Sequence, residues 1–269
     1  MFVNFFTRPP FSIKTRMIGY LLLLLATSAW SVGNFALFVR GLVIVAVYVL
    51  ADVGWTFLRN RKLYVPNSSF ISGLIIALVL APQASFWLVL TVPFITVFSK
   101  QVLHIGFHRH VFNPAVLSLV LASFVFTPAV SWWGVSGGGI VLWLIAGAAL
   151  MIITGQRRWH EVLPFFVSYL LVSLAFFARS GASFSELLSI LKNFVWDGTV
   201  LFFASVMLIE PMTSQFPKFW HRVVYAIMSA AGAIVFGHLN IGGLRVDSLL
   251  AGLLASNLLS SLLFLRKRT

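Results

Sequence analysis

No cysteine occurs in the 269 residues, so disulfides, thiolate catalysis and cysteine-ligated iron–sulfur clusters are excluded, and redox chemistry would need a bound organic cofactor. Charge is also scarce. Asp, Glu, Lys and Arg make up 9% of the chain, against roughly a quarter in an ordinary soluble domain, which leaves too few charges to cover a water-facing surface. The sequence carries no glycine-rich phosphate loop after a strand and no nucleophile triad, so nucleotide hydrolysis and acyl transfer find no support. What remains is apolar: 60% hydrophobic residues and a mean hydropathy of +0.99. In lipid such a chain must satisfy its own backbone hydrogen bonds, which points to helices and to one membrane domain.

The formal net charge is +13, but the basic residues sit in short clusters between apolar runs and form no solvated face with aromatics for stacking on bases. That pattern excludes nucleic acid as the expected partner and fits the positive-inside rule and contact with anionic lipid. Arg8, Lys14 and Arg16 precede an apolar run beginning at Met17, superficially like a signal peptide. Further spans follow and no clean cleavage site does, so this run is read as the first membrane helix.

Charged, proline and glycine clusters cut the chain into apolar segments near 17–33, 36–58, 69–81, 86–103, 113–126, 139–154, 162–178, 195–209, 222–238 and 247–265. The expected fold class is therefore an all-α polytopic membrane protein of about ten helices. Segments 69–81, 113–126 and 195–209 are shorter than the roughly 20 residues of a straight span. Short segments ended by proline suggest broken helices lining a buried site. If the chain starts inside and crosses ten times, the inner segments hold fifteen of the nineteen basic residues, among them Lys100, Arg109, Arg157, Arg158 and Arg222. Both termini are then cytoplasmic, in a multi-pass protein of the inner (plasma) membrane.

The chain also resembles itself. IALVLAP (Ile76 to Pro82) and SVMLIEP (Ser205 to Pro211) are apolar half-helices stopped by proline. His104 to Gly106, Arg109 and NPAVLSLVLAS then match Asn240 to Gly242, Arg245 and DSLLAGLLAS. Five helices per half is an odd number, so the halves, residues 1–130 and 131–269, are expected to form an inverted repeat with a site between them.

Acids within membrane segments are costly and mark candidate sites. Asp52 lies in the second span, Asp197 and Glu210 bracket a half-helix, and Asp247 opens the last span. Helix capping is the bland reading for Asp197 and for Asp247. Glu210 ends an apolar run, where a helix C-terminus disfavours a carboxylate and a compensating group is needed. Asn113 and Pro114 form a helix start whose free N–H groups could also face an anion or a flavin carbonyl. His104, His108 and His110 are read as part of a basic loop, because Gly106 interrupts them and Lys100 and Arg109 repel a cation; no metal is expected.

These landmarks resemble a known family, RnfD/NqrB, whose members are membrane components of the Rnf electron-transport complex and of the sodium-pumping NADH:quinone reductase. The resemblance rests on KTRMIGYLLLLLA (Lys14 to Ala26), LADVGWTFLRNRK (Leu50 to Lys62), NSSFISGLIIALVLAP (Asn67 to Pro82), SKQ (Ser99 to Gln101), FNPAVLSLVL (Phe112 to Leu121), RRWHEVLPFFVSYLL (Arg157 to Leu171), EPMTS (Glu210 to Ser214) and VDSLLAGLLASNLL (Val246 to Leu259). It implies a ten-helix inverted-repeat scaffold similar to urea transporters, acting with partner subunits in a redox-driven ion pump. Asn113, Pro114, Glu210, Pro211 and Thr213 would then line the central region near cofactor or ion, with Asp52 and Asp247 as further candidates. Family members carry a long insertion with an Ala-Thr-Pro-Leu type threonine that bears FMN. Here only Thr127 to Gly139 joins the halves, and Thr127 lacks the flanking alanine and leucine. The expectation is FMN or riboflavin held noncovalently, or no flavin, with Thr127 a weak covalent candidate. The chain is expected to be one component of an electron-transport complex and not a complete enzyme. Two other readings stay open: a small-solute or ion channel on the same scaffold without redox chemistry, and a scaffold that only anchors other subunits.

Overall fold

The computed structural model describes residues 12–61, 66–105, 109–196, 198–239 and 246–265. Two long helices open it, α1 (Ile13–Ser31) and α2 (Phe35–Asn60). They are followed by the short α3 (Asn67–Val79), then α4 (Phe86–Val102) and α5 (Pro114–Val125). The second half contains α6 (Ile140–Gln156), α7 (Trp159–Arg179), α8 (Phe184–Trp196) and α9 (Gly198–Phe202), which runs on into a π-helical turn, Phe203–Met207. Then come α10 (Pro211–Ser214), α11 (Phe219–His238) and α12 (Ser248–Leu265). A two-residue antiparallel ladder, β1 (His104–Ile105) with β2 (Arg109–His110), interrupts the otherwise helical chain and pairs His104 with His110.

Local chemistry sets most helix ends. Ser12 accepts a hydrogen bond from Thr15 N (3.2 Å) and Asn34 from Ala36 N (3.1 Å), each satisfying an orphan donor of the first turn. At the other ends, α2 and α6 stop at Arg61 and Arg157, both with φ of 54°. The bounds follow the apolar segments to within a few residues, with two exceptions. The amphipathic α8 occupies a stretch expected to be a connection, and the four-residue α10 lies beyond the expected end at 209.

Helices α2, α7 and α11 are long and apolar enough to cross a membrane, and six more apolar helices are shorter. The protein is an integral membrane protein of helical class. At 1.5 Å per residue α3 and α5 extend about 20 Å or less, short of the roughly 30 Å hydrocarbon core. They are buried to compensate: Leu74 to Ala81, Val116, Leu119 and Phe202 to Ile209 form the centre of the core. Large apolar side chains such as Trp30, Trp87, Trp143 and Trp220 point outward. Where α11 crosses α12, backbones touch. A Cβ added at Gly252 would lie 2.4 Å from Ala233 N, so only glycine permits this approach.

Candidate functional site

The two proline-stopped half-helices organise the centre. In an uninterrupted helix, the carbonyl of Leu78 would accept from residue 82 and that of Met207 from residue 211. Both positions are proline and have no N–H to give. A buried carbonyl without a partner is costly, so each must find one elsewhere.

At the first break the backbone of the connection between the halves both donates to and accepts from the broken helix end. Gly134 N donates to Leu78 O (3.0 Å), Ser131 N to Val79 O (3.1 Å), and Ala81 N to Ala129 O (2.9 Å). Trp133 Nε1 covers Ala77 O (2.9 Å). Gly134 is held so close that an added Cβ would meet Leu78 Cα at 3.0 Å and its Cδ2 at 2.4 Å. Neighbouring Trp132, with φ of 54°, donates its indole N–H to Asp247 Oδ2 (2.6 Å). The other oxygen of Asp247 accepts Leu250 N (3.0 Å) in the first turn of α12. Asp247 therefore caps a helix and ties it to the first break.

At the second break the donors are side chains from distant helices. Asn113 Nδ2 donates to Met207 O (3.4 Å), while its Oδ1 caps α5 by accepting Ala115 N (3.1 Å) and Val116 N (3.2 Å). Pro114 follows at the first helical position, where its missing N–H leaves nothing unsatisfied. The single proton of the Tyr225 hydroxyl is shared between Leu208 O (3.2 Å) and Asn257 Oδ1 (2.9 Å). Glu210 was expected at the end of a helix; it also begins one. Its backbone carbonyl accepts Ser214 N (2.9 Å) and Thr213 N (3.2 Å) of α10, and its Oε2 accepts Thr213 Oγ1 (3.2 Å).

Beside this break lies a cavity of about 390 Å³ between α1, α3, α5, α6 and the segment from Ser205 to Met212. Glu210, Pro211, Asn113, Ser68, Ser72 and Lys14 contribute to its wall. Three of the expected site residues thus share one cavity, and Thr213 joins them through its bond to Glu210. Asp247 does not line it. Thr127 is exposed at the end of α5 and does not line it either. Asp197 as a helix cap, His108 in the basic loop, and the second member of the internal match, Asn240 to Arg245, fall outside the described residues.

Asp52 stands behind the cavity in a polar cluster on α2, α3 and α4. It is fully buried, and Lys100 Nζ approaches its Oδ2 at 2.6 Å. Ser69 Oγ donates to the same oxygen and Gln101 Nε2 to Oδ1 (2.9 Å). Lys100 also donates to Ser68 and Ser69 Oγ, each at 3.1 Å. Ser68 is shared between this cluster and the cavity wall. By sequence Lys100 falls in the apolar segment 86–103 and counts among the cytoplasmic basic residues; it lies in the last turn of α4 as the partner of a buried acid. A second buried pair, Arg158 Nη1 to Glu161 Oε1 (2.7 Å), has Arg222 Nε nearby at 3.8 Å. Arg222 Nε in turn donates to Phe216 O (2.7 Å), fixing the chain just after α10.

The Glu210 carboxylate, the Ser68 and Ser72 hydroxyls and the amide oxygens on the wall are hard donors of the kind a small cation takes, and the Lys14 ammonium shares that wall. Among the described lining residues there is no aromatic face for an isoalloxazine ring to stack against, and Lys14 and Glu210 place opposite charges on the same wall. Among comparisons with known proteins, residues 3–137 match the model of the NQR2, RnfD, RnfE family, and no curated protein matches the chain.

Proposed function

Because the chain belongs to the NQR2, RnfD, RnfE family, we propose that it is the membrane component of an Rnf/Nqr-type redox-driven ion-translocating complex, contributing the cation cavity at Glu210. The observation that carries this reading is a carboxylate set into a cavity beside an interrupted helix. Interrupted helices place ion sites near the middle of a membrane, because unwound backbone and side-chain oxygens can replace the hydration shell. With no cysteine for a cluster of its own, the chain takes electrons from partner subunits.

An inverted five-helix repeat, similar to urea transporters, is the scaffold this reading uses. The packing supports it. The pairs α2–α4, α4–α5, α2–α3 and α1–α3 have counterparts in α7–α11, α11–α12, α7 with the π turn, and α6 with α9. Helices α1 and α6 pack on each other, as do α5 and α12, the pairs a two-fold relation would place at its centre. The distribution of basic residues supports cytoplasmic termini in the inner (plasma) membrane. Flavin, as FMN or riboflavin, belongs to this chain noncovalently or not at all. The visible spectrum of the purified protein, before and after denaturation, tests that point.

The test of function is Glu210→Gln in the assembled complex reconstituted in liposomes. Electron transfer should continue while ion uptake driven by it falls at least tenfold. Undiminished coupled uptake would remove Glu210 from the pathway. Solute flux without an electron donor would favour a channel on the same scaffold.

A further inference from the structure

We infer that Lys100 is a tethered cation held by Asp52 beside the Glu210 cavity, where it competes with a monovalent cation for the Glu210 carboxylate. This rests on the reading of that cavity as a cation site.

A lysine ammonium is a compact point charge with three donors on a flexible four-carbon stem. All three donors of Lys100 are used, on Asp52 Oδ2 (2.6 Å), Ser68 Oγ (3.1 Å) and Ser69 Oγ (3.1 Å). Its side chain is 17% exposed whereas that of Asp52 is 0% exposed, so the lysine is the member of the pair with a way out. The way out is marked by Ser68, which belongs both to its hydrogen-bond set and to the cavity wall.

The charges explain why this matters. Asp52 and Lys100 neutralise each other. Glu210 accepts a hydrogen bond from Thr213, and among the described residues no cation stands within ion-pair distance of it. Its carboxylate therefore has room for one positive charge, which can come from a cation entering the cavity, from Lys14 on the cavity wall, or from Lys100 changing rotamer. Asp52, reinforced by Gln101 and Ser69, sets how strongly Lys100 is held back. Cation affinity at Glu210 then depends on a residue that need not touch the cation at all. Such a device would empty the site cleanly, since the tethered ammonium takes the carboxylate as the mobile ion leaves.

The test is calorimetric titration of sodium, lithium and potassium chlorides into the purified full-length protein in detergent, with choline chloride keeping ionic strength constant. Asp52→Asn frees Lys100 and should weaken binding of the preferred cation at least tenfold. The double variant Asp52→Asn with Lys100→Met removes both charges, leaves no buried ion unpaired, and should bind more tightly than the unaltered protein. These opposite signs are the signature, since general damage would weaken both. Binding lost in Glu210→Gln but equal in the unaltered protein and the double variant would overturn the role of Lys100 and leave the cavity reading standing. Absence of cation binding in the unaltered protein, or binding indifferent to Glu210→Gln, would overturn both.

Discussion

The two helix breaks begin from the same local chemistry and end differently. In each, proline withdraws an N–H from a carbonyl four residues earlier, Leu78 O in one and Met207 O in the other. The connection between the halves closes the first break with a run of backbone donors, Ser131 and Gly134 among them. The second is closed by single side chains, Asn113 and Tyr225, reaching from other helices. Side chains cover less than a backbone strand does, and the remaining space is the cavity with Glu210 in its wall. The same kind of broken helix is thus closed or opens on a cavity according to what covers its end.

This comparison breaks most readily at the first position. Gly134→Ala should cost about 3 kcal/mol, the upper range for overpacking, because Leu78 must move and the donors to α3 move with it. Denaturant titration of the purified protein in mixed micelles measures the loss; an unchanged midpoint would mean that the connection does not clamp the first break. At the second break, Asn113→Ala should cost about 2 kcal/mol by removing a cap and leaving Met207 O unpaired. Asn113→Asp keeps the acceptor and loses the donor, so it should recover roughly half of that. Equal losses in the two variants would show that only the cap matters, and that the tie between halves contributes nothing.

The smallest effect is expected away from both breaks. Ser183 and Glu186 form a capping box on α8: Glu186 Oε2 accepts Ser183 N (2.6 Å) and Ser183 Oγ (2.8 Å), and Ser183 Oγ accepts Glu186 N (3.4 Å). The backbone bond from Ser183, followed by its side-chain bond, holds the carboxyl of Glu186 below its ordinary range. A depressed folded value means the contribution is complete above the unfolded value, about 4.3, and fades as pH falls through the folded one. Hydrogen exchange at the start of α8 should therefore rise below that range, and Glu186→Gln should abolish the pH dependence while leaving both breaks unchanged.

Much of this architecture was legible in advance. Hydropathy gave ten apolar segments, and the three too short to span were found as α3, α5 and the α9–π segment. Prolines located both breaks, and Asn113 was recognisable as a cap from Asn-Pro alone. Helix α8 was missed because its polar face lowers hydropathy, although the Ser-x-x-Glu spacing at Ser183 and Glu186 announced its start. Lys100 was missed for another reason. A lysine at the inner end of an apolar segment reads as one more positive-inside charge, and nothing near it names its partner, which lies 48 residues earlier.

The sequence by itself determined that this chain lives in lipid, that it is helical, and where its helices must break, because hydropathy and the missing N–H of proline are local properties. It also carried the family resemblance, whose marks lie in short contiguous motifs. Tertiary structure alone decided which break opens on the cavity, since the carbonyl of Met207 is satisfied from 94 residues away and Asp247 meets its indole partner across 115. The pairing of Asp52 with Lys100 was decided in the same way. A buried polar group must find a partner, but which partner reaches it depends on how helices pack, and no residue's neighbours in sequence can state that.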